Sequence, residues 1–149
     1  MTLVEQIGAL RRTMHRLFVR RLARSTSRPA LQLLALRAIA RHEVRTQSEL
    51  AERLLVDAPT VSRLVEKLVR DGLLLRQVGD DRRCVHLEVT EASGPEIAVV
   101  DRELSGLNQV LLDQLGAADL EHARGLLARM QAALSRCEDP SAHREGLDR

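Results

Sequence analysis

The sequence predicts a mainly helical fold carrying one small β-hairpin. Three observations support this. Apolar residues recur at spacings of three and four through most of the chain, the period drops to two only around residues 73–89, and aromatic residues make up just 1% of the 149. A core without rings is built from Leu, Val, Ile and Ala, a set that favours helices. With 44% hydrophobic residues the chain has the material for a core, and its length suits one domain or two small lobes.

The first helix is expected over residues 3–22, where Leu3, Ile7, Leu10, Met14 and Leu17 form an apolar seam. The run Ser25-Thr26-Ser27-Arg28-Pro29 breaks it. Pro29 suits the first turn of a second helix, where a missing N–H costs nothing. Leu31, Leu34, Ala35, Ala38 and Ile39 are that helix's expected buried face, and Thr46 with Glu49 three residues later forms a capping box for a third helix. Asp57 caps a fourth, with Pro59 in its first turn and Val61, Leu64, Val65 and Leu68 as its apolar stripe. Gly72 ends it as a left-handed cap.

The short run Leu73 to Val78, a turn at Gly79 to Arg83, and the alternation of Val85, Leu87 and Val89 with polar neighbours then read as a hairpin with one buried face. Two more helices follow. One carries Ile97, Val100, Leu104, Leu107 and Leu111; after Gly116 the other carries Leu120, Ala123, Leu127, Met130 and Leu134, with Cys137 extending the seam as a buried small hydrophobe. Long seamed helices at both ends need partners, so a homodimer is expected.

Residues 1–28 hold seven Arg against one Glu, a net of +6, whereas residues 86–149 hold six Arg against twelve acids, a net of −6. The plainer reading is that the two segments neutralise each other; the alternative is that the basic segment meets DNA or another anion. No apolar run is long enough for a bilayer and the N-terminus lacks a signal-peptide core, so the expected location is the cytoplasm with no membrane partner. The near-absence of rings excludes stacking on single-stranded nucleic acid.

Residues 46–72 have helix–turn–helix spacing, and burial of the fourth helix's stripe turns Pro59, Thr60, Ser62, Arg63, Lys67 and Arg70 outward. Hydroxyls suit phosphate, and Arg suits guanine in the major groove. The hairpin tip, with Arg82 and Arg83, can reach a minor groove. Together these make a winged helix-turn-helix, with Pro59, Thr60, Ser62, Arg63, Lys67 and Arg82 as candidate contacts to double-stranded DNA.

The segments Ser48-Glu49-Leu50-Ala51, Thr60 to Val65, Asp71-Gly72-Leu73, Asp81-Arg82-Arg83 and Leu87-Glu88-Val89-Thr90-Glu91 resemble the multiple antibiotic resistance regulator (MarR) family, and helix order matches over residues 1 to about 137. The resemblance implies a two-fold dimer on pseudo-palindromic duplex DNA, often released by a small ligand. It further implies that Glu66 pairs with Arg83 to brace the wing. It also implies an effector pocket between the lobes, where Arg11, His15 and Arg37 are candidate ligands for a small anionic aromatic compound. The same arginines have acidic partners available across a dimer in Asp101, Glu103 or Asp113. Gly94-Pro95 departs from the family and leaves open where the helix after the wing begins.

The expected organisation is a helical dimerisation lobe from 1–28 and 91–137, a winged helix-turn-helix lobe over 29–90, and a flexible tail at 138–149. No cofactor, catalytic residue or metal ligand set is expected, because the chain has no phosphate-binding glycine loop or nucleophile elbow, and Cys84 with His86 gives zinc only two ligands. The expected function is a ligand-responsive repressor. The competing readings are a winged-helix protein-interaction module without DNA binding, and a thiol- or zinc-based sensor using Cys84.

Overall fold

Thr2 and Glu5 open the first element. Thr2 accepts from the Glu5 backbone N–H while the Glu5 carboxylate accepts from the Thr2 N–H, a capping box that starts α1 (Leu3–Ser25). In this computed structural model, which describes residues 1–81 and 83–138, the further elements are α2 (Ala30–Ala40), α3 (Gln47–Leu54), α4 (Ala58–Arg70), β1 (Leu74–Val78), β2 (Val85–Val89), a 3-10 turn (Glu91–Ser93), α5 (Gly94–Leu115) and α6 (Ala117–Glu138). The strands pair antiparallel, with Leu74 opposite Val89 and Val78 opposite Val85. The chain forms two compact units, Met1–Gly106 and Leu107–Arg149.

The first unit holds the core. Its centre is Leu36 and Ile39 from α2, Leu50 from α3, Val61, Val65 and Leu68 from α4, and Leu74 and Leu87 from the hairpin. Dispersion and apolar burial supply the cohesion, since these side chains are all but inaccessible to water. Three local signals set the boundaries as the sequence leads one to expect. Thr46 and Glu49 complete the capping box of α3, Asp57 accepts from the Thr60 N–H to start α4, and Gly72 takes a φ of 73° just past the end of α4.

Several expectations are corrected. Pro29 is the N-cap residue of α2, one position before its first turn. That helix buries Leu33 and Leu36, while Leu31 and Leu34 stay half-buried, because it lies in the middle of the unit and is covered on a broader face than its periodicity suggests. In α1 the buried residues are Phe18 and Leu22, whereas the seam from Leu3 to Leu17 is exposed in the single chain. In the hairpin Leu74 and Leu87 are buried but Val85, nearer the tip, is exposed. Gly94 and Pro95 begin α5 without interruption; Gly94 is helical, and proline is tolerated in a first turn, where N–H groups have no partner within the helix.

In the second unit α6 has no buried residue, and Leu127, Leu134 and Cys137 are exposed rather than sealed in a seam. The seam's periodicity is present, but no surface in the described chain covers it. The expected tail falls outside the described residues except for Glu138, which is the last residue of α6.

Truncating a central core residue tests this packing. Leu68→Ala is expected to lower unfolding stability by about 2–5 kcal/mol in chemical denaturation, through lost burial and the cavity left behind. Thr46→Ala, which removes only a cap, is expected to cost about 0.5–2 kcal/mol.

Candidate nucleic-acid interface

The apolar stripe of α4 is buried without exception: Val61 and Val65 at 0%, Leu68 at 0% and Leu64 at 7% exposure. The opposite face is therefore fixed. Pro59, Arg63, Lys67 and Arg70 are exposed and Thr60 and Ser62 half-buried, as the spacing predicts. The helix enters through a turn in which Leu55 is left-handed, at φ 56° and 78% exposed. Hydrogen bonding to Thr60 holds the Asp57 carboxyl below the usual range, so the cap is ionised at neutral pH.

The hairpin is tied to the end of α4 by one residue. Thr90 donates its hydroxyl to the Gly72 carbonyl at 2.6 Å and its backbone N–H to the Leu73 carbonyl at 3.1 Å. On its outer edge, the Leu87 N–H donates to the Arg45 carbonyl at 2.7 Å. The tip is shaped by backbone bonds: Gly79 N–H to the Cys84 carbonyl, Cys84 N–H to the Asp81 carbonyl, and Arg83 N–H to the Asp81 carboxylate at 3.1 Å. Arg83 and Cys84 are exposed there. Arg82 lies outside the described residues.

The expected Glu66–Arg83 brace is not formed. Both side chains are exposed, and neither makes an ion pair among the described residues. An exposed pair contributes little against the freedom its side chains lose; the backbone bonds at the hairpin's tip and base hold the wing instead.

The three candidate effector ligands are not gathered into one pocket. Arg11 and His15 are exposed on α1. Arg37 is engaged by Asp101 of α5 at 2.8 Å, with Arg41 on the other carboxylate oxygen at 2.9 Å, so this pairing is within one chain rather than across a dimer. A cavity of about 480 Å³ opens elsewhere, between the C-terminal end of α2 and the hairpin, lined by Ile39, His42, Arg45, Gln77, His86 and Glu88 among others. The Nδ1 of His86 is buried there without a hydrogen-bond partner.

Part of the charge asymmetry is neutralised as the plainer reading expects, by Arg21 on Glu103 and Arg28 on Glu96. Arg28 also pairs with Asp71 at 2.9 Å, a contact 43 positions apart that the sequence did not suggest. Among the described residues no three His, Cys, Asp or Glu side chains cluster as a metal site, and no helix is long and apolar enough to cross a membrane.

A capped helix–turn–helix followed directly by a two-stranded hairpin defines a winged helix-turn-helix protein. Residues 26–83 match the model of the MarR family. Among solved structures it is similar to the transcriptional regulator PA3341 (27% identity, TM-score 0.76, 91% of this chain and 99% of that one). It is also similar to the transcriptional regulator SlyA (23%, 0.72, 91% and 96%) and to wild-type MarR from E. coli in its apo form (24%, 0.68, 87% and 97%). The chain thus has the fold of MarR-family transcriptional regulators.

The ion pairs around α5 carry a pH dependence. Hydrogen bonds from Arg37 and then Arg41 lower the pKa of Asp101, and those from Arg28 and then Lys67 lower that of Asp71. A depressed folded-state pKa gives stability that is present above the unfolded value, near 3.9 for Asp, and is lost as pH falls through the folded value. The thermal midpoint is therefore expected to be level from about pH 7 to 5 and to drop below about pH 4. Asp101→Asn should lower the midpoint at neutral pH and flatten that acid limb.

Proposed function

We propose that this protein is a sequence-specific, double-stranded DNA-binding transcriptional regulator, acting as a cytoplasmic homodimer on a pseudo-palindromic operator. The observation that carries the reading is the outward face of α4, where Thr60, Ser62, Arg63 and Lys67 stand opposite a fully buried stripe. A helix held this way presents hydroxyls to phosphate and a guanidinium to a base edge. Arg63 reads a base, Pro59, Thr60, Ser62 and Lys67 set the register on the backbone, and Arg82 enters the minor groove. Glu66 and Arg83 come into play only if the wing closes on DNA, since they are apart in the free chain.

The dimer uses the helices of 1–28 and 91–137, leaving 29–90 to read DNA. Supporting this, α1 exposes Leu3, Val4, Leu10, Met14 and Leu17, and α6 exposes Leu127 and Leu134, apolar side chains at helical spacing of the kind that mark an interaction surface. The chain is not an enzyme in this reading. It represses, and a small anionic aromatic effector releases it. Of the two seats for that effector, the cavity walled by His42, Arg45 and His86 is the better formed, because Arg37 is already neutralised by Asp101. A ligand there would press on the wing, and it would weaken DNA binding only as far as it prefers a wing position that misfits the groove.

Fluorescence anisotropy with duplex from the region upstream of the gene tests the DNA reading. Arg63→Ala is expected to cost about 1–3 kcal/mol on the operator and to relax discrimination at one position in each half-site. Arg82→Ala should weaken operator and unrelated duplex alike and flatten the salt dependence. An unchanged operator preference in Arg63→Ala would remove the base-reading assignment, and equal affinity of the wild type for operator and unrelated duplex would favour the interaction-module reading. Light scattering should give twice the chain mass; a well-behaved monomer contradicts the dimer.

A further inference from the structure

Asp71 stands where helix physics disfavours it. It is the C-cap of α4, at the negative end of the helix dipole, and its partner Lys67 precedes it by four residues, the weaker of the two orientations for such a pair. What offsets this is Arg28, brought in from the loop before α2. Arg28 Nη1 donates to Asp71 Oδ2 at 2.9 Å and also to Gln32 Oε1 at 2.9 Å. Lys67 Nζ donates to the other oxygen, Asp71 Oδ1, at 3.0 Å. One carboxylate is thus divided between a cation on the α4 outward face and a cation of the scaffold.

Arg28 is itself divided. Its Nε lies 3.4 Å from Glu96 Oε1 in α5, close enough for charge attraction but too poorly aligned for a hydrogen bond, so that N–H is buried without an acceptor. Arg28 and Asp71 side chains are each 21% exposed and Glu96 26%, whereas Lys67 is 50% exposed. The chain of charges Glu96–Arg28–Asp71–Lys67 therefore runs from a shielded end on α5 to an open end on α4. Lys67 is the only lysine in the sequence, and its long stem can swing from Asp71 to a phosphate without displacing the helix.

We propose that Asp71 is a positioning residue that holds Lys67 in the DNA-free protein and competes with duplex phosphate for it, and that Arg28 and Glu96 set the strength of that hold. The inference rests on the DNA-binding reading above. DNA takes Lys67 only by breaking its bond to Asp71; Arg28 then remains as the partner that keeps the carboxylate paired. Whatever moves the start of α5 relative to Arg28 changes how firmly Asp71 keeps Lys67. The effect reaches a phosphate contact, so it scales all sequences together and leaves the ratio of operator to unrelated duplex unchanged.

The test combines DNA affinity with a direct view of the lysine. In protein labelled with 15N-lysine, the side-chain signal comes from Lys67 alone. It is expected to shift in Asp71→Asn, and to shift in the wild type when duplex is added. Asp71→Asn should bind operator and unrelated duplex about two- to five-fold more tightly, the range of a partly exposed ion pair. Glu96→Gln leaves Arg28 wholly to Asp71, frees Lys67 and should also strengthen binding. Arg28→Gln leaves Asp71 wholly to Lys67 and should weaken it, and circular dichroism checks that each variant is folded.

If Arg28→Gln and Glu96→Gln change affinity in the same direction, or if Asp71→Asn binds no more tightly while Lys67→Ala binds less tightly, Asp71 does not compete and the proposal is overturned. A Lys67 signal indifferent to Asp71→Asn overturns it without DNA. Should the wild type bind no duplex at all, the DNA-binding reading falls and takes this inference with it.

Discussion

Burial of one stripe on α4 fixes most of what this protein presents to its surroundings. Val61, Leu64, Val65 and Leu68 lock the helix against α2, α3 and the hairpin, and a helix locked on one face has no freedom in which residues it shows on the other. Rotating it by one residue would place Arg63 or Lys67 against leucine and valine side chains, where an unpaired charge is costly. The order of Thr60, Ser62, Arg63 and Lys67 on the outer face therefore follows from the aliphatic core beneath it.

The hairpin depends on the same anchor. Its inner face contributes Leu74 and Leu87 to the core, while Thr90 bonds its base to the carbonyl at the end of α4. Wing and helix thus form one piece at the base, and the wing's own tip is shaped locally by Gly79, Asp81 and Cys84. Two groups of arginine–carboxylate pairs accompany this piece, Arg28 with Asp71 and Glu96, and Arg37 and Arg41 with Asp101. Arginine suits this work because its rigid fork can serve two acceptors at once. These pairs tie α2 and the loop before it, and the end of α4, to the start of α5, the long helix that follows the wing.

What the sequence made legible was local. The caps at Thr46 and Asp57, the left-handed Gly72 and the stripe of α4 each arise from residues within a turn or two of one another, and spacing alone specifies them. The breadth of the buried face of α2 did not follow from its periodicity, because it depends on elements far along the chain that cover Leu33 and Leu36. The pairing of Arg28 with Asp71 was hidden for the same reason. The seams of α1 and α6 have the right period, yet Leu10 and Leu134 stay exposed, because a periodic stripe says that a partner is wanted without supplying it. The pairing of Glu66 with Arg83 was implied by the family resemblance alone, and the two exposed side chains do not make it in the free chain.

In the proposed function, α4 and the wing of two copies meet duplex DNA as a symmetric pair. Hydroxyl-radical footprinting of the wild-type protein on its own upstream region tests it most directly. The expected result is two equivalent protected stretches with centres about 10 bp apart, one helical turn, lost together when the site is scrambled. Protection spread evenly along the duplex, or a single unpaired stretch, would contradict it.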